Sequence, residues 1–204
     1  MLAVPAEPAR SANVRWHAGN LTRDERWNAL GYGGATVWMT GLPASGKSTI
    51  AMQVEAWLLA AGRPAYVLDG DNLRHGLNGD LGFSAEDRRE NVRRTAELAA
   101  LMADAGVVVL VSLVSPYRAD RARAREVHVR RELPFLEVHV ATSLAECEAR
   151  DPKGLYARAR SGELRGMTGV DDPYEAPERP DLRLTPADGG PGDQAARVLA
   201  LLAG

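Results

Sequence analysis

The sequence predicts an α/β domain built on a doubly wound, mostly parallel sheet. Three observations carry that reading. Short β-branched runs alternate with longer segments of helical spacing along the chain. The run VVVLVSLV is apolar on both faces of the strand it would form, as a strand covered by helices on both sides must be. A glycine-rich turn, GLPASGKS, joins one such run to one such helix, where a parallel sheet opens its binding crevice. The 204 residues suit one domain, and 45% hydrophobic with 25% charged residues is the ordinary globular mixture.

The elements follow in order. Residues 1–12 are rich in Ala and Pro and read as a disordered tail. Residues 13–34 form a polar N-terminal segment with Trp16 and Trp27, expected to pack on the domain. Within it, Thr22 with Glu25 three residues on is a capping-box signature for a short helix. Residues 35–204 make up the main domain. ATVWMTG is a buried strand. Ser48 to Ala61 has apolar residues at helical spacing and ends at Gly62. PAYVLDG is the next strand, and a helix runs from the cap Ser84 to Ala105. VVVLVSLV follows, then a charged helix from Arg118 to Glu132 and the strand FLEVHVA. Ser143 caps a short helix through Arg150. Residues 151–180 carry Gly, Pro and charge with weak periodicity, too long a stretch for a casual loop; 151–172 are read as a mobile lid. DLRLTP is a last strand and Asp193 to Ala203 a last helix.

Composition excludes several classes. A net charge of −2 provides no global field for a nucleic-acid polymer or an anionic membrane. The lone Cys147 excludes an intrachain disulfide and a cysteine-based zinc cage. His17, His75, His128 and His139 lie too far apart for a local metal motif. The first residues have no cationic lead followed by an apolar run, and the longest apolar run is strand-sized. A soluble cytoplasmic protein is expected.

GLPASGKS, Gly41 to Ser48, matches G-x-x-x-x-G-K-S/T in full, after a strand and opening a helix. This is the P-loop, and it predicts a P-loop NTPase fold. Gly41 and Gly46 let the backbone turn and aim its N–H groups inward, with Ala44, Ser45 and Thr49 in the same cradle. The helix N-terminus adds positive potential. Lys47 is placed to reach the β- and γ-phosphates of ATP, and Ser48 to ligate Mg²⁺.

The acceptor is less certain from residues alone. No N/T-K-x-D guanine motif follows, and VVVLVSLV runs on into Ser115-Pro116 without the acid a motor would carry. Acids stand instead at the end of the next strand after the P-loop, as Asp69 and Asp71. Either can orient an acceptor hydroxyl and take its proton, or hold Mg²⁺; an ordinary Asp-Gly turn is the bland alternative. Arg89, Arg93 and Arg94 read as a solvated helix face, as does RADRARAREVHVRRE. Arg74 and Arg88 lie near the acidic turn and the Phe83 loop, and an arginine fork suits phosphate or sulfate oxygens. Phe83 either stacks on a base or plugs the core.

The set GLPASGKST, LDGDNLRHGLNGDLGFSAEDRRENVRR, VSPYRADR, ECEARDPKGLYARAR and TGVDDPYEAP resembles the adenylylsulfate kinase family. NVRWHAGNLTRDERW resembles it too, so the likeness runs from about Asn13 to Leu184. It implies transfer from Mg-ATP to the ribose 3′-hydroxyl of adenosine 5′-phosphosulfate, in sulfate assimilation. By the same resemblance, Phe83 stacks on the substrate adenine, while Arg74, Arg88 and Asn91 hold its phosphosulfate and ribose end. Val114, Ser115, Leu155, Met167, Thr168 and Gly169 complete the substrate site. Lys153 is a lid cation that approaches the transferring phosphate, and Arg150 with Glu175-Ala176-Pro177 borders the ATP adenine. Asp71 is the candidate base, and Asp69 joins Ser48 around Mg²⁺. Ser115 has no adjacent base, which makes it a weak nucleophile and favours direct transfer. A homodimer and a separate ATP sulfurylase partner are expected. Two departures stand out. Pro43-Ala44 replaces the frequent Ser-Gly, removing one cradle N–H, and Met167 replaces a frequent Phe. The rivals are a kinase of another small acceptor, such as shikimate, gluconate or a nucleoside, and a nucleotide-dependent switch.

Overall fold

Strand β1 (Ala35–Thr40) stands at the centre of one five-stranded sheet. β3 (Val108–Ser112) and β4 (Phe135–Val140) flank it, with β2 (Ala65–Asp69) and β5 (Leu182–Leu184) at the edges. Every pairing is parallel. The computed structural model describes residues 13–15, 17 and 19–203; the expected 1–12 tail and Trp16 lie outside the described residues.

The alternation of β1 and β3 explains why both read as continuous apolar runs. Val37, Met39, Val108 and Leu110 face one core, filled by Ile50, Val54 and Leu58 of α2 (Lys47–Ala60) and Val198 of α8 (Pro191–Ala203). Trp38, Val109 and Val111 face a second core, filled from α4 (Ala85–Asp104) and α5 (Arg118–Val129). Side chains on a strand point alternately to opposite faces, so a strand between two cores is apolar throughout. The chain leaves β1 for an edge, returns through β3 and crosses to β4. Its crevice therefore opens at the C-terminal end of β1.

Most expected elements are present. α1 (Arg23–Leu30) has the full capping box of Thr22 and Glu25, and α4 starts after Ser84, whose side chain accepts from Asp87 N. Trp27 Nε1 donates to Asp104 O (3.0 Å), tying α1 to the end of α4. α5 stops at Val129 rather than Glu132, because the chain turns through Glu132 (φ +53°) to bury Leu133. α6 (Leu144–Arg150) is capped by Ser143 as expected.

Two elements were not foreseen. α3 (Gly70–Leu73) is a single turn that starts at the acidic segment. Within 151–180, α7 (Leu155–Arg160) helps build a third small core of Cys147, Tyr156 and Met167. Leu42 and Ala44 of the P-loop pack against that core. Among the described residues, no helix is long and apolar enough to cross a membrane.

Candidate active site

The cradle is built where β1 runs into α2. At Gly41 an added Cβ would stand 2.5 Å from Val140 O and 2.9 Å from Ser45 Oγ, so no side chain fits. Ser45 N donates to Leu42 O (3.2 Å), closing a four-residue turn. Pro43 occupies its second position, where a fixed φ is useful, and Ala44 its third, with φ +61°. The two residues that depart from the family pattern thus match one turn: proline supplies the first bend and alanine adopts the left-handed one. Pro43 O accepts from Tyr156 Oη (3.0 Å), which joins α7 to the loop. Ser45 O accepts from Thr142 Oγ1 (2.8 Å) and Arg150 Nη1 (3.3 Å), so Arg150 lies against the cradle itself.

Lys47 is 7% exposed, and its Nζ donates to Gly41 O (3.0 Å), Leu42 O (2.8 Å) and Ser45 Oγ (3.3 Å). Burial lowers its pKa from the ordinary lysine value to about 8, against the pull of Asp69 and Asp71. Thr49 is exposed on the first turn of α2.

Beside the cradle lies an oxygen cluster. Ser48 Oγ donates to Asp69 Oδ2 (2.6 Å), and Ser112 Oγ lies 3.0 Å from Ser48 Oγ. Asp69 Oδ1 accepts from Asp71 N (2.9 Å), capping α3. The Asp71 side chain is exposed, and its Oδ2 pairs with Lys153 Nζ. The two acids thus separate: one faces the P-loop serine, the other the residue 153 cation. Among the described residues, no group of three or more His, Cys, Asp or Glu is placed to hold a metal alone. A hydroxyl and a carboxylate oxygen at this spacing suit Mg²⁺, which takes few protein ligands and fills its shell with phosphate and water oxygens.

A second group of candidate residues forms around α3, the loop after it and the start of α4. Phe83 is 63% exposed, so it is a presented ring and not a core plug. Arg74 Cζ lies 4.3 Å and Arg88 Cζ 5.7 Å from its centroid. Arg74 Nη1 donates to Leu81 O (3.0 Å) and Gly82 O (2.8 Å), shaping the loop. Arg88 reaches further: Nε donates to Phe83 O (3.0 Å), Nη2 to Gly166 O (2.6 Å), and Asp172 Oδ2 is 3.7 Å away. One guanidinium thereby joins the Phe83 loop to residues 166–172. An open groove of about 520 Å³ lies next to the P-loop, lined by Leu42, Gly169, Val170, Asp172 and Tyr174 among others.

Several sequence candidates sit differently from a bare contact surface. Asn91 is 6% exposed and its Oδ1 accepts from Asn78 Nδ2 (2.9 Å), so α4 turns it inward. Met167 is 6% exposed, in the third core with Leu155 beside it. Thr168 is 1% exposed, with a buried hydroxyl that lacks a partner. Gly169 has φ +92°, and a Cβ there would meet Leu42 Cδ2 at 2.8 Å. Val114 O accepts from Thr40 Oγ1 (2.7 Å). Ser115 is 3% exposed, takes a hydrogen bond from Trp38 Nε1 (3.2 Å) and has φ +39°. Its carbonyl accepts from Arg121 Nη1 (2.7 Å), and this bonding suits a strand-end residue. The Glu175-Ala176-Pro177 segment docks on the start of α5: Arg118 N donates to Glu175 Oε2 (2.8 Å), and Arg118 Nε to Ala176 O (2.8 Å).

Sequence reading missed Ser112 and Asp172. Ser112 had a signal, as the polar residue inside an apolar run. Asp172 had none beyond its place in DDPYEAP.

The family model for adenylylsulphate kinase matches residues 33–185. The adenylyl-sulfate kinase of Citrobacter koseri is 56% identical over 172 residues, covering 84% of this chain and 85% of that protein. The bifunctional enzyme CysN/CysC of Mycobacterium tuberculosis is 57% identical over 169 residues, 83% of this chain but 27% of its own length. The chain thus spans about a quarter of that relative. A solved structure of the Mycobacterium tuberculosis APS kinase CysC in complex with AMPPNP and APS superposes with a TM-score of 0.83 at 56% identity, covering 85% of this chain and 99% of that one. A family model that spans residues 33–185, the same fold and more than half the residues in common across most of the chain lead to one assignment: the chain belongs to the adenylylsulphate kinase family.

Proposed function

We propose that this chain transfers the γ-phosphate of ATP to the ribose 3′-hydroxyl of adenosine 5′-phosphosulfate, giving 3′-phosphoadenosine 5′-phosphosulfate and ADP. One observation carries the reading: the Ser48–Asp69 pair of the cradle and the Asp71–Lys153 pair are built on two acids separated by the single residue Gly70 and joined by the Asp71 N to Asp69 Oδ1 bond. A donor phosphate and an acceptor hydroxyl therefore have neighbouring places. The related structure bound to AMPPNP and APS supports the same two ligands here.

In this reading Lys47 and the start of α2 hold the donor phosphates. Ser48 and Asp69 hold Mg²⁺, which supplies charge neutralisation to the phosphate oxygens when bound. Phe83 stacks on the acceptor adenine, and Arg74, Arg88 and Asn91 hold its phosphosulfate and ribose end. Asp71 accepts the 3′-hydroxyl proton as the new O–P bond forms and the bond from the γ-phosphorus to the ADP oxygen breaks. For that step Lys153 leaves Asp71 for the transferring group, where a cation offsets the charge developing in the transition state. Residues 151–172 act as a lid that excludes water. Transfer is direct, since Ser115 lacks a base and its hydroxyl is held by Trp38. A cytoplasmic homodimer, supplied with adenosine 5′-phosphosulfate by an ATP sulfurylase, goes with this reading.

Chromatography of ATP and adenosine 5′-phosphosulfate incubated with the protein and Mg²⁺ tests it. The 3′-phosphorylated nucleotide and ADP are expected in equal amounts. ATP consumption with shikimate, gluconate or a nucleoside, and none with the sulfated nucleotide, would overturn it.

A further inference from the structure

We propose that Ser112 is a positioning residue for the Mg²⁺-binding oxygen of Ser48, an inference that rests on the function proposed above. A serine hydroxyl carries one proton and two acceptor lone pairs. Ser48 Oγ gives its proton to Asp69 Oδ2 at 2.6 Å, and an ionised carboxylate only accepts. The 3.0 Å contact between Ser48 Oγ and Ser112 Oγ must then run from Ser112 to Ser48. One proton and one lone pair of Ser48 are thereby committed. A single lone pair remains, with its direction set by the other two bonds, and it is the one available to a cation.

The fold gives Ser112 little freedom to do otherwise. It ends β3, in register with Met39 of β1 on one side and Asp69 of β2 on the other. It is 4% exposed in a strand otherwise filled by Val and Leu. Its hydroxyl therefore sits between the strand that feeds the cradle and the strand that ends in the acid. Without it the Ser48 rotor keeps two open lone pairs and loses one of the bonds that define its direction. Metal binding would then bear the cost of ordering that oxygen.

The test compares nucleotide binding with and without the metal. ADP and a non-hydrolysable ATP analogue are titrated calorimetrically into the full chain in Mg²⁺ and in EDTA. The ratio of the two dissociation constants is the readout. Ser112→Ala is expected to weaken binding about 3- to 10-fold in Mg²⁺, the scale of one hydrogen bond, and to leave binding in EDTA unchanged. Ser112→Thr and Ser112→Val have nearly the same shape and differ by the hydroxyl. Thr is expected to keep the ratio of the unaltered chain and Val to lose it, which separates the hydroxyl from packing even if the alanine variant folds poorly. Equal weakening in both media, or an unchanged ratio in both Ala and Val, overturns the role of Ser112. An unaltered chain that binds nucleotide equally in Mg²⁺ and EDTA removes the metal reading itself.

Discussion

Lys47 and Ser45 of the cradle are 7% and 2% exposed, whereas across the same cleft Phe83 is 63% exposed. The side chains of Asp71 and Lys153 are each 61% exposed. The groups proposed to hold the donor phosphates are thus buried, whereas Phe83, Asp71 and Lys153, proposed for the acceptor, reach into solvent. A triphosphate presents the same anionic shape to every enzyme that uses it, so a pre-formed backbone cradle serves it well. An acceptor must enter, be recognised and be covered, which calls for groups that can change partners. The third small core shows how the two ends connect. Leu42 and Ala44 of the cradle pack on the same cluster as Tyr156 and Met167.

That contrast predicts large catalytic effects with little loss of ATP binding on the exposed side. Asp71→Asn keeps the size of the side chain and removes its basicity. Turnover is expected to fall about 10²- to 10⁴-fold while ATP affinity holds, read by steady-state kinetics beside calorimetry. Near-normal turnover would remove Asp71 from proton transfer. Lys153→Ala should follow, with turnover down about 10²-fold or more and ATP binding altered much less. Equal losses in both would make Lys153 a ground-state contact only.

Phe83→Ala comes next. Loss of base stacking costs about 1–3 kcal/mol, so KM for the sulfated nucleotide should rise about 5- to 100-fold with KM for ATP unchanged. The smallest effect belongs to the buried side. Phosphate oxygens beside Lys47 favour its charged form and raise its pKa from about 8. Nucleotide binding should therefore take up protons through this group at pH 9 and few at pH 7, read from binding enthalpies in buffers of different ionisation heat. Absence of uptake at pH 9 would show that Lys47 is already fully charged. The same depression makes the fold gain stability as pH rises from about 8 towards 10.5, where the unfolded chain holds a proton that the folded one lacks.

Much of this was readable before the fold was known. The Thr22 and Ser143 caps, the run of strands and the cradle follow from patterns a few residues long. Phe83 stood open between two readings, since a ring after a glycine fits a loop or a core equally well. Its exposure settled the choice in favour of a presented ring. Weak periodicity hid α7, because its six residues are too few to show a helical repeat. Asn91 and Met167 are substrate contacts by resemblance, and their burial, Asn91 against Asn78 and Met167 in the third core, is not visible in their local sequence. The role of Ser112 is hidden in sequence because its partner Ser48 lies 64 positions away.

Hydrophobic alternation, capping residues and one glycine-rich motif were enough to specify the layered α/β architecture and the position of the cradle. Each depends on sterics and hydrogen bonds acting within one turn or one strand. Which oxygens meet was set by the parallel register and the crossovers. They bring Ser48 to Asp69 across 21 positions, to Ser112 across 64, and Lys153 to Asp71 across 82. Contacts at such separations depend on how whole elements pack, and no local pattern encodes them.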